Sequence, residues 1–156
     1  MSKRNEQEIR PAATILERHA GSTIREWLTR VKKSQDLAYL KLSDQARTRH
    51  LRTLFNEVVQ RLRRPHLDES EAKPSKAAIA HGKARSQQGY TATMLVEESR
   101  ILQVCIFKRL RSNLAAVDVA LVLTDVMTIA DDVDSQLRQT IGSFSDELAR
   151  SNASGR

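Results

Sequence analysis

The chain has 156 residues, a formal net charge of +7 and 40% hydrophobic residues, a length that suits one domain and is short for two. Five glycines and three prolines are too few for a turn-rich β-sandwich, and a single cysteine excludes an internal disulfide framework. No apolar run approaches the roughly 18 residues of a membrane span, so we expect a cytoplasmic protein without membrane contact.

The first predicted helix spans residues 11–33, with residues 1–10 as a flexible N-terminus. Apolar residues recur there every three or four positions, which is typical of one helix face. Pro11 suits the first turn because its missing N–H is not needed there. The segment "AGST" at 20–23 is expected to bend or split this helix, and Thr23 and Glu26 would form a capping box at a split.

Three further elements are predicted between residues 43 and 114. A helix that begins at Ser43 ends at Pro65, which cannot continue the hydrogen-bond ladder, and a polar loop follows over 65–75. A short helix over 76–88 ends at Gly89, which can adopt the left-handed conformation. Thr91 caps a helix that runs to residue 114, and its wide apolar arc predicts the central position in the domain.

The last predicted helix spans residues 116–149, and residues 151–156 are expected to form a linker or tail. A narrow apolar seam flanked by charges in its second half predicts pairing with a second copy or another module. This candidate dimer seam comprises Ile129, Val133, Leu137, Ile141 and Phe144. The sequence therefore predicts an all-α, four-helix-bundle-like domain over residues 11–150, with a short extra helix and a long C-terminal helix.

The polar residues form no recognisable catalytic or metal-binding motif. The histidines lack HExxH spacing and Cys105 lacks a CxxC partner, so no metal site is predicted. Gly-rich phosphate loops and the GxSxG nucleophile elbow do not occur in the sequence. We therefore expect no catalytic residues, no cofactor and no enzymatic activity.

One polar stretch, "HGKARSQQGYTATMLVEESR" at 81–100, surrounds the predicted turn at Gly89 and has two interpretations. In the first, Arg85 meets Glu97 or Glu98 across the turn as a structural clasp, while Tyr90 buries its ring and keeps its hydroxyl in water. In the second, the stretch forms a small-ligand or signalling site. Its candidate residues are His81, Arg85, Tyr90, Glu97 and Arg100.

The chain resembles a known family through Trp27, the segment "LRTLFNEVVQRL" at 51–62 and this polar stretch. It is similar over residues 12–150 to the N-terminal sensor domain of RsbR-type stressosome co-antagonists, which also precedes bacterial histidine kinases. The resemblance implies a bacterial, homodimeric input domain that relays a signal through its last helix to a C-terminal module. A histidine kinase is one parent protein that it allows.

Two alternatives to this sensor hypothesis remain at the level of sequence. A basic helical module would bind nucleic acid, with a binding strength that falls steeply with salt. The arginines it would use are Arg47, Arg49, Arg52, Arg61, Arg63 and Arg64. Relatives of the stressosome proteins include globin-like sensors, so haem binding through His81 is the other alternative, although Arg85 stands where the proximal histidine is expected.

Overall fold

The computed structural model describes residues 11–64, 74–113 and 119–155. The predictions for residues 1–10, for the stop at Pro65 and for the start of the last helix at 116 lie outside these ranges. Within them the chain is all-α and contains no strand, which confirms the predicted fold class. The helices are α1 Pro11–Arg18, α2 Ala20–Lys33, α3 Gln35–Ala38, α4 Asp44–Thr48, α5 Leu51–Arg63, α6 Lys76–Gln87, α7 Ala92–Asn113 and α8 Val119–Ser154. None of the described helices is long and apolar enough to cross a membrane.

The helix predicted over 11–33 breaks at His19, one residue before the "AGST" segment. The carbonyl oxygen of His19 accepts hydrogen bonds from the Thr23 amide at 2.9 Å and from the Thr23 hydroxyl at 2.8 Å. The Ser22 hydroxyl donates to the same oxygen, and back-bonding of this kind bends helices. The predicted capping box is therefore wrong, because Thr23 bonds backward and Glu26 pairs with Arg30.

The helix predicted from Ser43 consists of two helices, α4 and α5, separated at residues 49–50. Ser43 caps α4 as predicted, because its hydroxyl oxygen accepts a hydrogen bond from the Ala46 amide at 3.1 Å. The polar connector before it contains the short helix α3, which the sequence pattern did not predict.

The turn between α6 and α7 follows the prediction closely. Gly89 has a φ of 81°, a left-handed conformation that glycine adopts without a steric penalty. The Tyr90 amide donates back to the Arg85 carbonyl at 3.1 Å, and the Thr91 hydroxyl accepts from the Met94 amide at 3.3 Å. Tyr90 is thereby directed back toward the last turn of α6.

The hydrophobic core is formed by α1, α2, α5, α7 and α8. As predicted, α7 is central, with Leu95, Ile101, Cys105 and Ile106 buried against the other helices. The apolar arc is narrower than predicted, since Val96 and Val104 are exposed. Burial raises the pKa of the Cys105 thiol to about 11, which keeps it protonated and unreactive at neutral pH.

The long helix α8 differs from its prediction at both the seam and the C-terminal end. Ile129, Val133 and Phe144 are buried in the core of the same chain, and Leu137 and Ile141 pack partly against that core. The seam is thus corrected to a core-facing stripe, because the bundle itself needs this face to cover α5, α6 and α7. The helix also continues to Ser154, so residues 151–154 are helical and not a linker.

Helices α6 and α8 pack closely enough for backbone contact. A Cβ atom on Gly82 would overlap the carbonyl oxygen of Thr140 and would lie 3.0 Å from the Phe144 amide nitrogen. The Thr140 hydroxyl donates to the Ala78 carbonyl at 3.2 Å, and the Ser143 hydroxyl donates to the Ile79 carbonyl at 2.7 Å. Position 82 therefore requires glycine for a steric reason.

Candidate functional site: a buried charge cluster around Glu98

A charged cluster lies inside the bundle where α6, α7 and the intervening turn meet. Glu98 on α7 is only 4% exposed, and Arg85 on α6 is 1% exposed. His81 and Tyr90 are also buried beside them. We refer to His81, Arg85, Tyr90 and Glu98 as the Glu98 cluster.

The carboxylate of Glu98 is the common partner of the other three side chains. Arg85 donates through Nε to Oε2 at 3.1 Å and approaches Oε1 with Nη2 at 2.9 Å, so the pair is bidentate. The Tyr90 hydroxyl donates to Oε1 at 2.6 Å, and Nε2 of His81 lies 3.2 Å from Oε2. Each carboxylate oxygen therefore has two partners, which offsets the cost of burying the charge.

Local structure explains why these residues meet. His81 and Arg85 are four residues apart on α6 and therefore share one helix face. The left-handed turn at Gly89 brings Tyr90 back over this face, with its ring centroid 4.7 Å from Cζ of Arg85. Glu98 lies between Leu95 and Ile101 on the buried face of α7.

Two buried arginines connect the cluster to the α3–α4 region. Arg85 Nη2 donates to the carbonyl of Arg47 at 2.8 Å, and Nη1 donates to the Ala46 carbonyl at 3.3 Å. Arg47 is itself buried, and its Nη2 donates to the carbonyls of Leu37 and Leu40. The guanidinium of Arg85 thus ties α6 to both α7 and α4.

The cluster holds Glu98 ionised and Tyr90 protonated. Burial acts to raise the pKa of Glu98, but the hydrogen bond from His81 and the charge of Arg85 outweigh it, and the pKa is lowered. Burial and the Glu98 charge both raise the pKa of Tyr90, which keeps its hydroxyl a donor. The two groups therefore stabilise opposite protonation states that match their hydrogen bond.

A second histidine and a small cavity border the cluster. The His50 ring meets the His81 ring edge to face at 5.8 Å, and burial, with the charges of His81 and Arg49, lowers the pKa of His50. A cavity of about 40 Å³ lies beside Glu98, between Trp27 and Gln136. It has room for a few water molecules, so a porphyrin does not fit beside His81 in this conformation.

The predicted site residues divide into two groups. His81, Arg85 and Tyr90 come together. The prediction that the Tyr90 hydroxyl stays in water is wrong, because this hydroxyl donates to Glu98 inside the protein. Glu97 and Arg100 do not join them. These two lie on the outer face of α7 and pair with each other, with Arg100 Nε 2.8 Å from Glu97 Oε2.

Glu98 is the central residue of the site, yet the prediction named it only as an alternative partner of Arg85. A signal for it exists in the sequence. Glu98 is three residues after Leu95 and three before Ile101, in phase with the apolar face of α7, whereas Glu97 is out of phase. A carboxylate in phase with a buried stripe requires a buried cation, and Arg85 is that cation.

The arginines proposed to bind nucleic acid are partly engaged elsewhere. Arg47 is buried, the guanidinium of Arg63 pairs with Glu17, and that of Arg61 lies 3.9 Å from Asp131. Arg49, Arg52 and Arg64 remain exposed. The basic face is therefore smaller than the sequence suggested.

The fold and the cluster define the chain as an all-α bundle domain organised around a buried, fully paired carboxylate. No protein-family model, curated protein or solved structure matches it. The resemblance to the sensor domain of stressosome co-antagonists thus stays a prediction.

Proposed function

We propose that the chain is a non-enzymatic sensory or regulatory input domain of a signalling protein, in which α6 couples the Glu98 cluster to α8. The observation that carries this proposal is the position of α6. Its residues His81 and Arg85 reach Glu98 on α7, while Gly82 lies against the backbone of α8. A displacement of α6 at the cluster is therefore transmitted to α8 through a contact without intervening side-chain atoms.

The chemistry of the cluster supports regulation over catalysis. Both Glu98 oxygens accept hydrogen bonds from protein groups, and the pKa of Glu98 is lowered despite its burial. A general base needs a pKa near the working pH and access to a substrate proton. A paired, ionised carboxylate inside a bundle instead holds helices in one arrangement, which a ligand or partner shifts by preferring another arrangement.

The C-terminal end of α8 supports an output role. Residues 145–154 are exposed apart from the half-buried Glu147, so the final turns extend past the core. A helix that leaves its domain in this way offers a continuous connection to a further module or a partner protein.

The relay is tested by removing one hydroxyl from the cluster. In Tyr90→Phe, the lost hydrogen bond to the Glu98 carboxylate is expected to cost about 1.5–3 kcal/mol. If α6 transmits the change, amide hydrogen exchange accelerates in α6 and in the part of α8 around Thr140, not only in the turn at Gly89.

The control for this test is Glu97→Gln, which changes a half-buried carboxylate on α7 that lies outside the Glu98 cluster and pairs with Arg100. It should leave exchange in α8 unchanged. A Tyr90→Phe protein whose faster exchange is confined to α7 and the Gly89 turn would reject the relay.

Homodimerisation is also part of the proposal and predicts a dimeric mass by light scattering at micromolar concentration. Because the candidate dimer seam faces the core, the dimer is tested by substituting the exposed apolar residues Leu123 and Met127 of α8. The double change to aspartate should give the monomer mass, while Val96→Asp on α7 serves as the control. A monomeric wild-type chain would contradict the dimer and leave the relay standing.

A further inference from the structure

A polar groove of about 320 Å³ lies between α5 and α8 and shares Gln136 with the small cavity beside Glu98. At its base is Gln136 of α8, which is only 6% exposed. Its Nε2 lies 3.0 Å from the carbonyl oxygen of Leu54, 3.3 Å from Oε2 of Glu57 and 3.3 Å from Oδ2 of Asp132. One amide nitrogen therefore faces three oxygen atoms from two helices.

The amide of Gln136 has too few hydrogens for its neighbours when the carboxyl groups of Glu57 and Asp132 are both ionised. An amide nitrogen carries two hydrogens, whereas a carbonyl and two carboxylates are all acceptors. Glu57 has a second donor, because the Ser75 hydroxyl lies 2.7 Å from the same Oε2. Asp132 has no other hydrogen-bond donor among the described residues. Of the two carboxyl groups, Asp132 is therefore the one whose protonation relieves the shortage of donors.

We propose that Asp132 is a pH-sensitive switch whose protonation tightens the packing of α5 against α8. A neutral Asp132, which takes its proton from solvent, no longer competes for Gln136 or repels Glu57. The amide of Gln136 then donates its two hydrogens to the Leu54 carbonyl and the Glu57 carboxylate, and these bonds hold α5 against α8. When Asp132 is ionised, its carboxylate repels that of Glu57 and competes with it for the amide of Gln136. This repulsion loosens the contact between α5 and α8. The switch deepens the proposed relay and rests on it for its signalling role, because α8 is the element that both affect.

The electrostatic surroundings place this proton near the physiological range. The pKa of Asp132 is raised to about 6, mainly by burial and next by the charge of Glu57 on α5. Arg61 of α5 and Arg64, the residue just after α5, lower this pKa, while the neighbouring Asp131 of α8 raises it. Ser75, just before α6, is neutral and bonds Glu57.

The sign of the pH dependence follows from this raised pKa. Between the ordinary value of 3.8 and about 6, the folded protein keeps a proton that the unfolded chain has released. Stability from this group is therefore largest at the acidic end of that window, falls as the pH rises through it, and levels off above it.

The test combines a direct titration with a matched pair of variants. The carboxyl carbon of Asp132, assigned by through-bond correlation with the backbone of the same residue, should titrate in NMR spectra of the wild-type chain with a midpoint near pH 6. Between about pH 4.5 and 7, the urea midpoint of the wild type should fall, and in Asp132→Asn this component should be absent. Other groups that titrate in this range contribute equally to all variants, so the difference between wild type and Asp132→Asn isolates Asp132.

The control is Asp131→Asn, which removes an exposed charge from the same helix. It should keep the fall in urea midpoint but move it slightly to lower pH, because the charge of Asp131 helps to raise the pKa of Asp132. A carboxyl midpoint below about pH 4.5, or an equal fall in wild type and Asp132→Asn, would overturn the switch. The wild-type titration decides the matter if Asp132→Asn does not fold. Failure of the Tyr90→Phe relay test leaves this titration unaffected, so the two proposals fail separately.

Discussion

Glu98→Ala is expected to destabilise the protein by about 3–5 kcal/mol. The substitution leaves the guanidinium of Arg85, which is 1% exposed, without the carboxylate that neutralises it. It also removes the acceptor of the Tyr90 hydroxyl and the partner of His81. Burying an unpaired charge is among the few mechanisms that produce effects of this size from one residue. Urea unfolding followed by far-ultraviolet circular dichroism measures the loss.

Glu97→Ala is the matched control, since Glu97 is the adjacent residue and, within the part of the chain that the structure describes, pairs only with the exposed Arg100. Its cost should be no more than about 0.5 kcal/mol. The contribution of Glu98 is expected to be present above its ordinary pKa of 4.5 and to be lost as the pH falls through its lowered, folded-state pKa. Similar losses for both alanine variants at neutral pH would show that the Glu98 cluster does not stabilise the fold.

Gly82→Ala is the second change with a large expected effect, a destabilisation of about 3 kcal/mol. The new methyl group would overlap the carbonyl of Thr140, a backbone atom that moves only if α6 and α8 separate. The higher helix propensity of alanine, worth about 1 kcal/mol, opposes this cost without cancelling it. Thermal and urea unfolding should both report the loss.

The comparison for this variant is Gly142→Ala on α8. A Cβ atom at Gly142 meets nothing within 4 Å among the described residues, so only the propensity effect applies, and a gain of about 0.5–1 kcal/mol is expected. Two identical substitutions in helices should therefore have opposite signs. If Gly82→Ala also stabilises the protein, the close packing of α6 on α8 is incorrect.

Local chemistry made much of the fold predictable. Gly89, Thr91 and Ser43 each act through bonds to residues within a few positions, and those boundaries agree with the prediction. The break at His19 depends on several donors converging on one carbonyl, which periodicity does not reveal. Helix periodicity also identifies an apolar stripe without showing what covers it, and for this reason the sequence predicts a dimer seam where the stripe of α8 faces the core of its own chain.

The candidate site was predictable in its position but not in its centre. The polar stretch around the glycine turn predicts a site at His81, Arg85 and Tyr90, and these three side chains converge on Glu98. The choice between Glu97 and Glu98 depends on helix phase relative to the core, which a list of charged residues does not contain. The contacts of Arg85 with the carbonyls of Ala46 and Arg47 join residues 38 and 39 positions apart, and no local pattern encodes them.

The buried indole of Trp27 gives the protein an internal optical reporter. Trp27 is the only tryptophan in the sequence, and its Nε1 donates to the backbone carbonyl of Glu98 at 3.1 Å. Indole emission responds to the loss of such a hydrogen bond and to entry of water. The fluorescence of the unlabelled chain therefore arises at the contact between α2 and the central residue of the cluster, so that rearrangements there are observable without an attached dye.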